Sequence, residues 1–547
     1  MTEQPVDFRR MSPRAKDVAI LLVLALAFRA LAVVVVGWPP FTDPAYYSLI
    51  AQQLADGHGF STPVLWSFIE VGAEIPVPAV LPVPSNAHWM PLTSIVAAAS
   101  MALFGSTYVA GTIPLVIISA LLVPFTYAVV WELWRVRWQA LVAAGLALFA
   151  GPLLIMYPIA DNFAIFGGMG AGSLYCSMRA VRAERPGPWL VAAGALAGLA
   201  TLARIDGVLL TAAAATAWFV RRGWSPWRSV TRGGATVFWG AASAMAFFAV
   251  LTPWLLRNQA VFGSLLPSAG GHTLWITDYN EQFTIGREVS LATYLDWGWA
   301  NIVGSKLVSW GELVGRTGVL LGGTFLVFFV AGLWIFRRRA ELAPFFVYFA
   351  VMFVAMGAIF TFHAPKGAFY HSAPAWLPWA LGIAIAAIAP ACTAAGRFWP
   401  FLRRPATHRF IAGAGLAGAM ALSVVGSGIL YADWHRSRVR DEQVAAFLNA
   451  NAQPDDVVMG SDPASLYPLT GKRAVAAPFD PFRVIEQVVD AYDVRWIVVL
   501  SPGNDESDPL NLWNGSAGVD SEGEHARFLP SRPAFEGDDV RIFRVGD

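Results

Sequence analysis

The chain has 547 residues, 56% hydrophobic and 14% charged, with a net charge of +1. Soluble domains carry about 25% charged residues. This composition, with 23 Trp, 36 Phe and a mean hydropathy of +0.53, excludes a disordered chain, a nucleic-acid binder and an ordinary cytosolic enzyme. The two cysteines, Cys176 and Cys392, lie far apart in apolar runs, which excludes a disulfide framework and a cysteine-based metal site.

Several stretches approach the length of about 20 apolar residues that a membrane-crossing helix needs. Eleven crossings are predicted, at about 17–36, 108–131, 138–158, 162–179, 188–203, 205–220, 233–255, 317–336, 342–362, 372–391 and 410–431. The first is uniformly apolar and lacks a small-residue cleavage site, so it reads as a retained anchor. Arg9, Arg10, Arg14 and Lys16 precede it and put the N-terminus in the cytoplasm. The inner loops then receive Arg135 and Arg137, Arg179, Arg182 and Arg185, Arg221, Arg222, Arg228 and Arg232, and the triplet Arg337 to Arg339. A further crossing at 91–104 would reverse every later loop, so that stretch reads as an interfacial or re-entrant helix on the outer face.

The expected organisation is a transmembrane domain, 1–435, with outer loops at 37–107 and 257–316, and a soluble extracytoplasmic α/β domain, 436–547. In this tail the pattern predicts a helix at Asp441 to Asn449 and strands at Val457 to Gly460 and Ala474 to Ala477. It then predicts a helix at Pro481 to Ala491 and strands at Val494 to Leu500 and Val540 to Val545. The polar tract Ser501 to Gly523 reads as a loop.

Charged groups at membrane depth or just outside it are the informative ones. After the first crossing, Pro44 and Gly57 delimit a short helix, with Tyr46, Leu49, Ile50 and Leu54 as an apolar stripe expected to lie on the membrane surface. Asp43 opens this helix, either as its N-cap or as a general base at the boundary. Asp161 is a second outer-face acid, with the same choice between a cap and a catalytic role. Arg204 and Asp206 sit between two short crossings, where they either pair to fix a turn or offer Arg204 to an anionic head group. Arg257 ends a crossing, where it can snorkel. Lys366, between Pro365 and Gly367, is a cation suited to a phosphate. His88 opens the interfacial helix, and a lone histidine there is more often structural. Glu70 and Glu74 fall in a loop expected to be mobile. Arg29, inside the first crossing, is expected to face the bundle and pair with an acid.

These features occur in a definite order. One crossing is followed by the acid-led surface helix, His88-Trp89-Met90-Pro91-Leu92, Leu103-Phe104-Gly105, the basic turn Trp134-Arg135-Val136-Arg137 and Asp161. Then come Gly198-Leu199-Ala200-Thr201-Leu202-Ala203-Arg204, Pro253-Trp254-Leu255-Leu256-Arg257-Asn258 and Pro365-Lys366-Gly367. The set resembles the C-type membrane glycosyltransferases that use polyprenyl-phosphate sugars, in particular the bacterial aminoarabinose transferases and protein O-mannosyltransferases. The resemblance implies a helical polytopic membrane bundle with an extracytoplasmic α/β tail. It further implies Asp43 as the base for the acceptor hydroxyl, Asp161 as a second acid shaping the site, and Lys366 and Arg204 on the donor phosphate, a role extended to Arg257. His88, Tyr46 and Tyr47 are the expected acceptor-side residues. Where the family often has an acidic pair in the first loop, Asp43 is followed here by Pro44.

The implied chemistry needs no nucleotide, in keeping with the lack of a Gly-rich phosphate loop in the sequence. No cofactor is expected, and the dispersed Asp43, His88 and Asp161 are a weak metal signal. The expected partners are a polyprenyl-phosphate sugar, a glycan, lipid or protein acceptor, and the bilayer of the plasma membrane. A lipid-linked sugar transporter or flippase, or a non-catalytic envelope scaffold, are the alternatives. The first would show repeat symmetry and mid-membrane charge, and the second would tolerate loss of Asp43.

Overall fold

The computed structural model describes residues 12–221, 234–267, 273–501 and 512–546. Arg9, Arg10, Arg222, Arg228, Arg232 and the 502–511 part of the expected polar loop lie outside them. In chain order the first ten helices are α1 (Pro13–Val35), α2 (Thr42–Ala55), α3 (Leu92–Phe104), α4 (Tyr108–Trp134), α5 (Arg137–Leu148), α6 (Leu153–Met156), α7 (Phe163–Arg182), α8 (Gly187–Ala203), α9 (Leu210–Arg221) and α10 (Gly234–Phe262). The longer later helices are Trp299–Leu320, Phe325–Ile335, Ala343–Val354, Phe369–Ala395 and Pro405–Asn451. Two compact units result. One takes Met1–Gly37, Thr112–Thr252 and Lys306–Leu430, and the other takes Trp38–Gly111, Pro253–Ser305 and Tyr431–Asp547.

Among the described residues six helices are long and apolar enough to cross a membrane: Pro13–Val35, Tyr108–Trp134, Val237–Phe262, Ala340–Ile359, Ala364–Ala395 and Pro405–Asn451. A seventh arises if Trp299–Leu320 and Phe325–Ile335 count together. The continuous crossing expected at 317–336 is therefore corrected. That stretch bends by 104° because Gly322 and Gly323 both take left-handed backbone angles, φ 69° and 74°, which end one helix before the next begins. The stretch expected at 138–158 is likewise two helices, α5 of 12 residues and α6 of four, separated at Gly151-Pro152. At 17 and 12 residues, α8 and α9 fall below the length of about 20 that spans the hydrocarbon. The interfacial stretch at 91–104 forms α3, only 13 residues long.

In the first unit, small residues let helices approach closely. Methyl groups on Gly167 and Gly170 of α7 would lie 2.6 Å from Pro374 and Ala375. Arg29 of α1 is fully buried, but among the described residues it does not pair with the acid expected for it. Its guanidinium donates to the carbonyls of Leu154 (2.6 Å), Leu153 (3.3 Å) and Leu148 (3.5 Å) and lies 4.7 Å from the Tyr157 ring. These carbonyls lie at the C-terminal end of α5 and in the single turn of α6, and a helix C-terminus is a negative pole. That backbone charge takes the place of a carboxylate.

The second unit is built on a six-stranded sheet. Its strands, in chain order, are β2 (Val64–Leu65), β4 (Val457–Gly460), β5 (Ala474–Ala476), β6 (Val494–Leu500), β7 (Phe535–Glu536) and β8 (Val540–Arg544). A separate two-stranded ribbon joins β1 (Ser61–Thr62) and β3 (Val83–Pro84). The sheet order is β2-β5-β4-β6-β8-β7, with the first four strands parallel and the last two antiparallel. Side chains alternate between two cores, as the two-residue period of a strand requires. Met459, Val475, Ile497 and Val499 pack with the helix Phe482–Tyr492 on one face. Val458, Trp496 and Val498 pack on the other with α2 and with Val444 and Leu448. Two expectations are corrected. The segment Asp441 to Asn449 is no separate helix but the last part of the 47-residue helix Pro405–Asn451. The stripe Tyr46, Leu49 and Ile50 lies against protein, not lipid, because α2 is covered all round: every residue from Pro44 to Ala51 is buried.

Candidate active site

In the second unit the site residues hang from α2. The cap position is Phe41, with extended backbone and no side-chain cap bond, so Asp43 is not the N-cap. It lies inside the first turn and is half-buried. Thr42 beside it hydrogen-bonds to Asp462, which caps the helix Pro463–Thr470 by accepting from the Ser465 amide and hydroxyl at 3.3 and 2.6 Å. Burial raises the Asp462 carboxyl above its usual range, opposed by these hydrogen bonds.

Glu70 is the residue that sequence reasoning missed here. It is 1% exposed and pinned, contrary to the mobile loop expected of it. Its carboxylate accepts from Trp66 Nε1 (3.0 Å), the Tyr46 hydroxyl (3.3 Å) and the backbone amides of Ala87 (3.1 Å) and His88 (3.2 Å). Burial raises its pKa, and the four donors pull it back down. The Tyr46 hydroxyl in turn accepts from the Asn86 amide at 2.7 Å. Around this hub Trp66 and Trp89 stack at 4.1 Å, Tyr46 meets Trp89 edge-on at 4.5 Å, and the His88 ring lies 5.6 Å from Trp66. Tyr46 and Tyr47, expected on the acceptor side, are 0% and 1% exposed. They present no surface to an acceptor, and Tyr46 acts as a strut for the loop that carries His88. No sequence motif marks Glu70; its signal lies only in the cost of burying a lone carboxylate, which demands donors.

Arg257 does not snorkel. Its guanidinium lies 4.8 Å from the Trp254 ring, 4.9 Å from Phe262 and 5.5 Å from Phe60, and donates to Asn258 Oδ1 at 3.2 Å. Three aromatic faces fix this cation in place.

In the first unit Asp161 is fully buried just before α7, whose cap position is Asn162. The acid is thus not a cap. Its Oδ1 accepts from the Asn162 amide at 2.6 Å and lies 3.6 Å from His371 Nδ1. That nitrogen is 2.7 Å from Asn162 Oδ1, and the Phe163 ring stacks on the imidazole at 4.1 Å. His371 is a further residue the sequence did not single out, although it closes the stretch that contains Lys366. Asp161 and His371 each present an atom that could serve as a metal ligand.

Arg204 follows α8 in extended backbone and pairs with Asp206 at 3.0 Å. Asp206 also accepts from the Ser372 hydroxyl. The turn is tight enough that a methyl group on Gly207 would lie 2.4 Å from the Thr201 nitrogen, so only glycine fits. The turn-fixing pair is therefore present. Lys366 is exposed on a wide turn, Ala364–Ala368, where Gly367 takes φ 123°. Two further cations attach to this stretch. Lys306 Nζ donates to Thr361 Oγ1 at 2.5 Å, and Arg316 donates to the Pro365 carbonyl and stacks over Tyr370 at 4.8 Å. Such a group of cations is suited to a phosphate.

Residues 85–255 match the family model described as dolichyl-phosphate-mannose-protein mannosyltransferase. A comparison with curated proteins finds no match. Among solved structures, ArnT from Cupriavidus metallidurans in the apo state is 12% identical over 97% of this chain and 98% of its own, with a TM-score of 0.54. The same protein bound to undecaprenyl phosphate is 15% identical over 95% and 97%, also at 0.54. The archaeal oligosaccharyltransferase AglB from Archaeoglobus fulgidus, in complex with an inhibitory peptide and a dolichol-phosphate, is 13% identical over 88% and 69%, at 0.49. The resemblance carried by the ordered motifs therefore holds at the level of structure: the chain has the fold of the C-type membrane glycosyltransferases.

Proposed function

We propose that the protein transfers a sugar from a polyprenyl phosphate to an acceptor hydroxyl at the outer face of the plasma membrane. The acceptor is a glycan, a lipid or a protein of the envelope, and the sugar a hexose or pentose. The reading is supported by the family match across residues 85–255 and by the fold shared with an enzyme solved with undecaprenyl phosphate. The single observation that carries it is Asp43. It is a half-buried acid in the first turn of α2 that does not cap its helix, on an element whose residues Pro44 to Ala51 are all buried.

In this mechanism Asp43 takes the proton as the acceptor oxygen attacks the anomeric carbon. The new carbon–oxygen bond forms while the bond to the phosphate oxygen breaks, and the lipid phosphate leaves with the electron pair. One displacement inverts the anomeric carbon. Lys366 and Arg204, aided by the clamped Arg257, stabilise the charge growing on the phosphate. Asp161 holds His371 and Asn162 in register as the second acid. Arg204 gives up part of its pairing with Asp206 to do so, and Asp206 keeps its bond from Ser372. The reading includes no cofactor, so chelation of divalent metal with EDTA is expected to leave transfer unchanged.

The test is label transfer in membranes supplied with a panel of radiolabelled polyprenyl-phosphate sugars, comparing wild type with Asp43→Asn. Transfer by the wild type and its loss in a folded variant is the expected result. Equal transfer by both removes Asp43 as base. No transfer from any donor by folded protein returns the transport and scaffold alternatives.

A further inference from the structure

A second charged cleft lies at the opposite end of the helices of the first unit from Asp161. Its volume is about 320 Å³, and it is lined by Arg14 and Val18 of α1, Tyr127, Trp131, Glu132 and Arg135 at the end of α4, and Arg179 at the end of α7. Three guanidinium groups thus face one carboxylate. That carboxylate is already shared, since Glu132 accepts from Tyr175 at 2.9 Å and pairs with Arg179 at 3.2 Å and Arg182 at 3.7 Å. The nearby acid Asp17 is also engaged, held by Nη2 and Nε of Arg137 at 2.7 and 2.8 Å and by the Tyr127 hydroxyl at 2.9 Å. Among the described residues neither Arg14 nor Arg135 forms an ion pair. Arg14 instead lies 4.1 Å over the Trp131 ring, and Arg135 is exposed.

Arg135 has a second peculiarity. It ends α4 with φ 59°, the left-handed conformation that glycine or asparagine normally supplies at this position. An arginine there costs about 1 kcal/mol of backbone strain, so the side chain must offer something that glycine does not. The rim says what the occupant is made of. Val18 is an exposed apolar residue, and Val23, Leu24, Leu31 and Val34 continue an uncovered apolar surface down α1. Polar head above and apolar flank below describe a lipid.

We propose that this cleft binds the phosphate of an anionic glycerophospholipid of the leaflet at that end of the bundle, with its acyl chains along α1. Arg14 and Arg135 hold the phosphate, and the Trp131 and Tyr127 rings wall the head group. The site is separate from the donor site of the proposed reaction, and its test does not depend on that reaction.

The experiment uses the purified full-length protein in detergent, with binding followed by native mass spectrometry and by thermal melting. The probes are phosphatidylglycerol, phosphatidylcholine, soluble glycerol 1-phosphate and undecaprenyl phosphate. Phosphatidylglycerol is expected to bind about tenfold more tightly than phosphatidylcholine, and Arg14→Ala and Arg135→Gly are each expected to lose about that factor. Arg135→Gly relieves the left-handed strain, so without lipid it should melt no lower than wild type, which separates loss of binding from loss of fold. Equal binding of the two phospholipids, unchanged affinity in both variants, or full stabilisation by glycerol 1-phosphate alone would overturn the proposal. So would displacement of phosphatidylglycerol by undecaprenyl phosphate that both variants abolish.

Discussion

The two units solve the same problem in opposite ways. Each buries a charged group deep in apolar surroundings. In the α/β unit the group is Glu70, and its neutralising partners are four N–H and O–H donors drawn from three stretches of loop and helix. In the helical unit it is Arg29, and its partners are backbone carbonyls at the end of α5 and in the single turn of α6. Among the described residues neither charge forms an ion pair. Burial of an ion needs hydrogen-bonding capacity of the right sign, and the backbone supplies it as well as a side chain does. The difference lies in what each buried group controls: Glu70 fixes the loop that carries His88 and Trp89, whereas Arg29 fixes the path of the chain leading toward Asp161.

The sharpest break in this comparison comes from a residue that is neither. Asp43 is half-buried on α2 rather than enclosed like Glu70, and asparagine keeps its size, so the replacement should leave packing intact while removing the base. Asp43→Asn is expected to lower transfer by about 10²–10⁴-fold with an unchanged melting temperature. A parallel loss of stability would instead place Asp43 with Glu70 among the structural acids.

Glu70→Ala should be the most damaging change to stability. It strips four donors of one acceptor, for an expected loss of about 3–5 kcal/mol, read as a large fall in the melting temperature of the detergent-solubilised protein. Glu70→Gln keeps one acceptor oxygen and should cost less. Hydrogen exchange at the amides of Ala87 and His88 should quicken in both. Unchanged exchange would mean that the loop is held by the Trp66–Trp89 stack alone.

The sequence made some of this legible and hid the rest for identifiable reasons. The strands Val457–Gly460 and Val494–Leu500 were readable because Val457–Gly460 and Trp496–Leu500 are continuous apolar runs, the mark of strands covered on both faces. Strand β2 was not, because two residues carry no period and its partner β5 lies about 400 residues away along the chain. The helix Pro463–Thr470 was hidden by Pro468 in its interior. Asp43, Asp161, Arg204, Arg257 and Lys366 stood out as charges in apolar sequence. Their surroundings did not, because hydropathy counts charges and not donors: the engagement of Arg204 by Asp206 and the aromatic clamp on Arg257 are tertiary facts. Glu70 and His371 were missed for the same reason.

Arg29→Met tests the other half of the comparison. It removes donors to three carbonyls and keeps the apolar volume, for an expected loss of about 2 kcal/mol. Arg29→Lys should not restore the full stability, because a single ammonium cannot span carbonyls from both sides of the α5–α6 break as a planar fork does. Full rescue by lysine would show that charge alone, rather than geometry, is what the break requires.

The smallest effect is expected at Asp480, which is 5% exposed and accepts from the Ile285 amide at 2.6 Å. Burial pushes its carboxyl up to about 6, against the pull of that amide and of Arg287 and Arg483. Arg287 is only a partial counter-charge, since it pairs with Glu281 at 2.9 Å. A carboxyl with a raised folded-state pKa holds its proton more tightly when folded. Its contribution is fully present below the unfolded value of 3.8 and is lost as pH rises through about 6. Asp480→Asn keeps an oxygen for Ile285 and cannot ionise. It should match wild type near pH 4, gain on it between pH 4 and 6, and remain more stable above that. Melting curves across this range measure the difference directly. A variant less stable than wild type at pH 8 would show that Arg287 and Arg483 together outweigh the cost of burial, and that this acid, unlike Glu70, relies on opposite charge.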